Sequence, residues 1–250
     1  MAEIIELIIL GTAVGTLSGF FGIGGGTILV PALLMIGFDM KSAVGISVMQ
    51  MVFSSVYGSW LNLKKGTLDV KMVLMIGLGG FTGALSSNLI VSTLSAVTLE
   101  WIFLGFVLFA MARMFMHTPD SGVEAKTAHP VLLFVIGAVL GAFSISIGVG
   151  GSILLVPILA GFLHVPLKNA IAAGLFFVVF SSLSGFISLS VGGHIDYFHG
   201  LLIGIASMAG VFAGIWLKHV VSVTHHKRFL LGFYALIASY FLYRLVVLHG

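Results

Sequence analysis

The chain has 250 residues, 59% of them hydrophobic and 8% charged, with a formal net charge of +3 and a mean hydropathy of +1.22. So oily a composition cannot supply the solvated exterior of a water-soluble domain; it describes an integral membrane protein with the lipid bilayer as its solvent. The small net charge gives no ground for a nucleic-acid partner, and the lack of cysteine excludes disulfides, thiolate metal sites and thiol catalysis.

Eight apolar segments, at roughly residues 4 to 36, 43 to 62, 70 to 92, 99 to 116, 130 to 163, 169 to 190, 198 to 218 and 228 to 248, are long enough to reach across a bilayer. None alternates with the period of a strand, so an all-α polytopic fold is expected. The first segment opens "MAEIIE", acidic where a secretory signal is basic, and is expected to be retained. It also contains "GFFGIGGGTILVP", residues 19 to 31, where five glycines and a proline interrupt an otherwise helical run. The second segment carries Gln50 and the pair Ser54 and Ser55, the third Asn88, and the fourth ends near Arg113. "MHTPDSGVEAKTAHP", residues 116 to 130, is the one long polar stretch and reads as a linker. Beyond it the fifth segment holds "IGVGGSILLVP" and the sixth Ser181 and Ser182, while His225, His226, Lys227 and Arg228 read as a basic headgroup loop before the eighth.

The chain is a duplication. An offset of 126 pairs Gly11 with Gly137, Gly15 with Gly141, Ser18 with Ser144, Gly24 with Gly150, Gly25 with Gly151 and Pro31 with Pro157. After a one-residue insertion the offset becomes 127 and pairs Ser54 and Ser55 with Ser181 and Ser182, Asp69 with Asp196, and Gly105 with Gly232. Two four-segment repeats result, 1–116 and 130–250, joined by a linker at 117–129. If all eight segments crossed, Lys and Arg would divide six against five between the two sides. If each glycine-broken segment is instead a re-entrant helix pair, the division is nine against two, with Lys41 and Arg244 in the minority, as the positive-inside rule requires. Each repeat then crosses three times, so the repeats are inverted, both termini lie outside and the linker is cytoplasmic.

Inverted repeats with one broken helix each describe a transporter architecture whose breaks meet near the midplane and form the substrate site. The N–H groups of Gly24, Gly25, Gly26 and Thr27 would sit at a short helix start, where the dipole and unpaired donors favour an anion. Gly150, Gly151 and Ser152 would do the same from the other repeat. Ser54, Ser55, Ser181 and Ser182 can donate to an oxyanion or back to a carbonyl one turn earlier, both readings standing open. Gln50 can line an asymmetric cavity; Asn88 reads as a tie between helices. Gly11, Gly15, Gly77, Gly80, Gly83 and Gly210 read as helix-packing glycines, whose faces permit a homodimer without requiring one. Asp69 and Asp196 each follow a glycine turn and read as helix N-caps. The other acids fall at segment ends or in loops, so no mid-membrane proton relay is expected, and no cofactor or metal centre is read.

The paired "GIGGGTILVPALL" and "GVGGSILLVPIL" signatures, with the turns "GTLD" and "GHID", resemble the TauE/SafE family of anion permeases, also called 4-toluene sulfonate uptake permeases. The resemblance covers nearly the whole chain and implies a prokaryotic inner-membrane protein that moves a small sulfur oxyanion, sulfite export foremost. Organic sulfonates or other organosulfur anions are the alternative substrates. A cation or metal permease and an intramembrane enzyme are the rival readings, and neither finds its ligands or a nucleophile with a base. Ser152 stands where the first motif has Gly26, so the two half-sites need not contribute equally.

Overall fold

The computed structural model describes residues 2–66, 70–116 and 129–248, so Asp69 and nearly all of the 117–129 linker lie outside the described residues. Those residues form eleven α-helices and a terminal π-turn, with no strand among them. In chain order the helices are α1 (Ala2–Phe21), α2 (Gly26–Met35), α3 (Met40–Lys64), α4 (Val70–Ala84), α5 (Ser87–Thr93), α6 (Ala96–Met116), α7 (Pro130–Ser146), α8 (Ser152–Gly161), α9 (Leu167–Val191), α10 (Tyr197–Val220) and α11 (Val223–Tyr243). Six helices are long and apolar enough to cross a membrane, or seven if the bent α4–α5 pair is one span. The chain is therefore a multi-pass membrane protein.

Each expected segment is present, and the two glycine-rich ones break where their glycines fall: α1 from α2, and α7 from α8. The third segment also breaks, bending by 42° between α4 and α5, which the sequence reading did not foresee. Its cause is a side chain inserted into the helical ladder. Ser188 Oγ on α9 donates to Leu85 O at 2.8 Å and accepts from Asn88 N–H at 3.1 Å, so the hydroxyl takes the place of an intrahelical bond. Asn88 packs against Gly192 at the end of α9, in keeping with its reading as a tie.

Contacts at the helix ends divide the bundle into two poles. Lys218 on α10 bonds Asn62 on α3, Lys168 on α9 reaches His219 O, Lys227 on α11 reaches Phe115 O, and Arg113 on α6 lies 3.7 Å over the Phe162 ring after α8. Of the basic residues with described side chains, Lys64, Lys65, Arg113, Lys168, Lys218, Lys227 and Arg228 gather at this pole, and Lys41 and Arg244 at the other. At the opposite pole Gly45 meets His194 O, the Phe38 and His199 rings lie 5.2 Å apart, and Arg244 Nε donates to Glu100 Oε1 at 3.1 Å. Asp39 caps α3 there. Burial works against its charge, but hydrogen bonds from Ser42 and from the Lys41 N–H outweigh that and hold its pKa below the ordinary 3.8. Asp196 caps α10 as expected, accepting from His199 N–H at 3.1 Å.

One sequence reading is extended and one corrected at these poles. Glu100 lies near the start of α6, a segment end as read, and is 1% exposed and paired to Arg244. His226, assigned to a headgroup loop, lies in the first turn of α11, is 1% exposed, and stacks on Phe20 with ring centroids 4.3 Å apart. The loop is shorter than read because α11 begins five residues before the apolar run.

Glycine faces bring the helices together. A Cβ on Gly15 would lie 2.0 Å from Ser207 O, and one on Gly11 2.7 Å from Ile203 O, seating α1 against α10. Gly141 against Gly80 O and Gly137 against Ile76 O seat α7 against α4. These small-residue faces are thus engaged inside the protomer.

Candidate functional site

α1 runs parallel to α10 from the pole opposite the lysines, and α2 returns toward that same pole, ending beside Phe38 and His199. α7 runs parallel to α4 from the basic pole, and α8 returns to it, ending at Gly161 beside Arg113. The hairpins therefore point at each other from opposite poles. Their tips meet at the middle of the long helices α3 and α9. Cβ atoms on Gly24 and Gly150 would lie 3.5 and 2.6 Å from Met51 Sδ, and both would lie 3.1 Å from Val178 Cγ1. A Cβ on Gly26 would fall 1.9 Å from Gly148 O of the other tip.

The backbone at the tips explains the glycines. Gly22, Gly24 and Gly25 have φ of 72°, 77° and 86°, and Gly148, Gly150 and Gly151 have 73°, 78° and 87°, a region that favours glycine. Gly25 and Gly151 are the N-caps of α2 and α8, and neither helix has a side-chain cap. In α2 the ladder starts with Ile28 and Leu29 N–H on Gly25 O, so the N–H groups of Gly26 and Thr27 precede it. In α8 it starts with Leu154 and Leu155 on Gly151 O, leaving Ser152 and Ile153 ahead.

Around these donors the structure places buried polar side chains without partners. Gln50 is fully buried, its Oε1 2.6 Å from a Cβ on Gly25, and neither amide atom has a hydrogen-bond partner. Thr27 Oγ1 and Ser152 Oγ are likewise buried and unpaired. At the second tip the place of Gln50 is taken by Phe177, whose ring lies 2.4 Å from a Cβ on Gly151. Each unpaired polar atom costs about 1–3 kcal/mol when kept from water. A small polar ligand able to accept several hydrogen bonds would recover that cost.

The four candidate serines separate. Ser54 Oγ donates to Gly24 O at 3.3 Å and Ser181 Oγ to Gly150 O at 3.0 Å, so both hold the break carbonyls. Ser182 bonds back weakly to Val179 O at 3.5 Å, and Ser55 Oγ is buried without a partner. Sequence reasoning missed Ser18 and Ser144, whose hydroxyls are also buried and unpaired, although their pairing at the 126 offset was visible. It missed Ser47 too, which donates to Gly148 O at 2.8 Å. The position 127 residues beyond Ser47 is Gly174, and Gly174 faces Ser152. One half therefore carries glycine at the tip and serine on the long helix, and the other half reverses them. Ser152 is in this sense a relocated hydroxyl.

Every tip residue is shielded from solvent, with Gln50, Thr27, Ser54, Ser152 and Ser181 at 0% exposure, so the arrangement is occluded at both poles. Because α2 runs away from the basic pole, its positive N-terminal end faces that pole, and the N-terminus of α8 faces the other. The junction thus offers neutral hydrogen-bond donors and two dipole ends.

The family model described as "Sulfite exporter TauE/SafE" matches residues 7–241. Among similar proteins, the "Probable membrane transporter protein YunE" of Bacillus subtilis is 25% identical over 228 residues, covering 78% of this chain and 81% of that protein. The "Probable membrane transporter protein MJ0441" of Methanocaldococcus jannaschii is 32% identical over 194 residues, covering 73% and 70%. No solved structure matches. A match that runs through both broken hairpins and nearly all of the helical bundle establishes that the chain belongs to the TauE/SafE sulfite exporter family of membrane transporters.

Proposed function

We propose that this protein moves a small sulfur oxyanion, sulfite first, across a prokaryotic inner membrane by way of the junction of the two hairpin tips, without chemical change to the anion. The observation that carries this reading is the tip-to-tip meeting of two glycine-started helices beside the unpaired, fully buried Gln50, Thr27 and Ser152. Donors of this kind suit a pyramidal or tetrahedral oxyanion, and neutral donors hold an anion without the grip of a buried cation at the same point. Gly24, Gly25, Gly26, Thr27, Gly150, Gly151, Ser152 and Gln50 contact the anion in this reading. Ser55 and Ser182 lie beside them, while Ser54 and Ser181 brace the loops. The halves 1–116 and 130–250 act as inverted repeats, with the basic pole and the linker cytoplasmic and the termini outside. Export then starts from the basic pole. An organic sulfonate fits the same donor chemistry and is the second substrate to try.

The test is sulfite-evoked current or tracer flux through purified protein in proteoliposomes, with sulfate and an organic sulfonate alongside. Sulfite movement should disappear in Gly25→Leu and in Gly151→Leu while both variants remain membrane-inserted. Full activity in both would remove the tips from the path.

A further inference from the structure

We propose that Lys218 and His226, with Asn62 holding the lysine in place, form a second oxyanion site, a staging site on the basic-pole side of the hairpin tips. The inference rests on the anion reading above and extends it to a place that reading does not use.

Lys218 lies in the last turn of α10 at 0% exposure, its ammonium turned into the protein and not out along the surface. Its Nζ donates to Asn62 Oδ1 at 2.7 Å, and Asn62 Nδ2 donates to Gly58 O at 2.9 Å, which fixes the amide with its oxygen toward the lysine. An ammonium has three protons to donate. Among the described residues no ion pair includes Lys218. Among the described residues, the charges within its electrostatic reach, Lys65 and Lys168, are of its own sign. A buried cation is costly, and like charges raise that cost.

His226 supplies the second observation. It is 1% exposed, lies within reach of the Lys218 and Lys168 charges, and has both ring nitrogens without a partner. Its ring stacks on Phe20, near the end of α1 and just before the first tip. Asn62 stands eight residues beyond Ser54 on α3, about 12 Å along the helix. The cluster therefore lies on the approach from the basic pole to the tip, the side faced by the positive end of α2.

The fold itself does not require these groups. At the 127 offset, Lys218, Asn62 and His226 correspond to Val91, Leu189 and Leu99, each at 0% exposure. The same architecture is thus closed at the other pole by aliphatic side chains. A lysine held by Asn62 and a histidine with two unpaired ring nitrogens stand in their place and, among the described residues, add positive charge and open hydrogen-bonding capacity at this pole, which a dissolved oxyanion would satisfy. Such a site raises the local concentration of anion before it meets the neutral donors at the tips.

The test uses equilibrium binding of radiolabelled sulfite to the full chain in phosphatidylcholine nanodiscs, where no anionic headgroup competes. The background is Gly25→Leu, with Gln50→Leu in its place if that variant does not fold. Sulfite should still bind to the background protein. Adding Lys218→Val, the residue type the other pole uses, should weaken binding at least tenfold, and Lys218→Arg should keep it within threefold. Loss of all binding in the background protein, or unchanged binding in Lys218→Val, would overturn the site. Nanodiscs containing phosphatidylglycerol should give the same affinity; binding abolished there would assign the pocket to a headgroup phosphate and overturn it as well. If the wild type moved no sulfite while Lys218-dependent binding persisted, the transport reading would fail and this site would stand.

Discussion

A methyl group on Gly26 would sit 1.9 Å from Gly148 O, whereas one on Gly174 would find its nearest neighbours, Gly22 O and Val156 Cγ2, at 3.0 Å. The first conflict is with backbone from the opposing hairpin and cannot be relieved without parting the tips. The second asks a neighbour to move by a few tenths of an ångström. Gly26→Ala should therefore lower stability by about 3 kcal/mol or more and Gly174→Ala by about 1 kcal/mol, read as thermal unfolding of the purified protein. Equal effects would show that the tips are not in contact. The glycine runs were legible because three glycines before a proline in an apolar helix have few other uses. The role of Ser47 was not. Its significance depends on Gly148 O, a group 101 residues away, and nothing local to "GISVMQ" marks that serine as different from its neighbours.

At the scale of elements, the α1–α10 and α4–α7 pairs depend on main chains in direct approach. Gly15→Leu would drive a side chain into Ser207 O, where a Cβ alone already comes to 2.0 Å. Gly105, with nothing within 4 Å of its Cβ position, is the control. Gly15→Leu should cost about 3 kcal/mol or more and give poorly dispersed protein in detergent, while Gly105→Leu should leave both unfolding and dispersity unchanged. Small residues one turn apart announced such contacts, but not which helix would meet which. The bend between α4 and α5 was illegible for a related reason. Ser86 and Ser87 hint at a weak point, yet the helix breaks because the Ser188 hydroxyl, from another helix, accepts from Asn88 N–H and donates to Leu85 O in place of a bond within the ladder.

Across the whole molecule, charge is distributed by pole. Arg244, one of the two cations counted on the minority side, is neutralised by Glu100, 144 residues earlier, so the basic pole stands out further than a simple count suggests. Arg244→Gln alone leaves Glu100 buried without this partner and should cost about 3–5 kcal/mol, most of it regained in the double variant with Glu100→Gln. Thermal unfolding of the two singles and the double closes that cycle; additive losses would mean the residues do not act as a pair. The proposed orientation makes a separate prediction. The chain has no cysteine, so Lys65→Cys should react with a membrane-impermeant maleimide only from the cytoplasmic side, and Met35→Cys, 71% exposed in the native residue, only from outside. The reverse pattern would invert the direction assigned to export.

What the amino-acid sequence determined unaided was the membrane setting, the eight segments, the two glycine breaks and the internal offset. Each is carried by residues close together in the chain, through hydropathy, backbone freedom and repetition. Tertiary structure alone decided that the broken hairpins meet at Met51 and Val178, that a serine and a glycine change places between Ser47 with Gly26 and Gly174 with Ser152, and that Lys218 and His226 are buried while their aliphatic counterparts close the other pole. These are pairings between groups far apart in the chain. They depend on which helix faces fit closely enough to touch, and that is settled by the packing of the whole bundle.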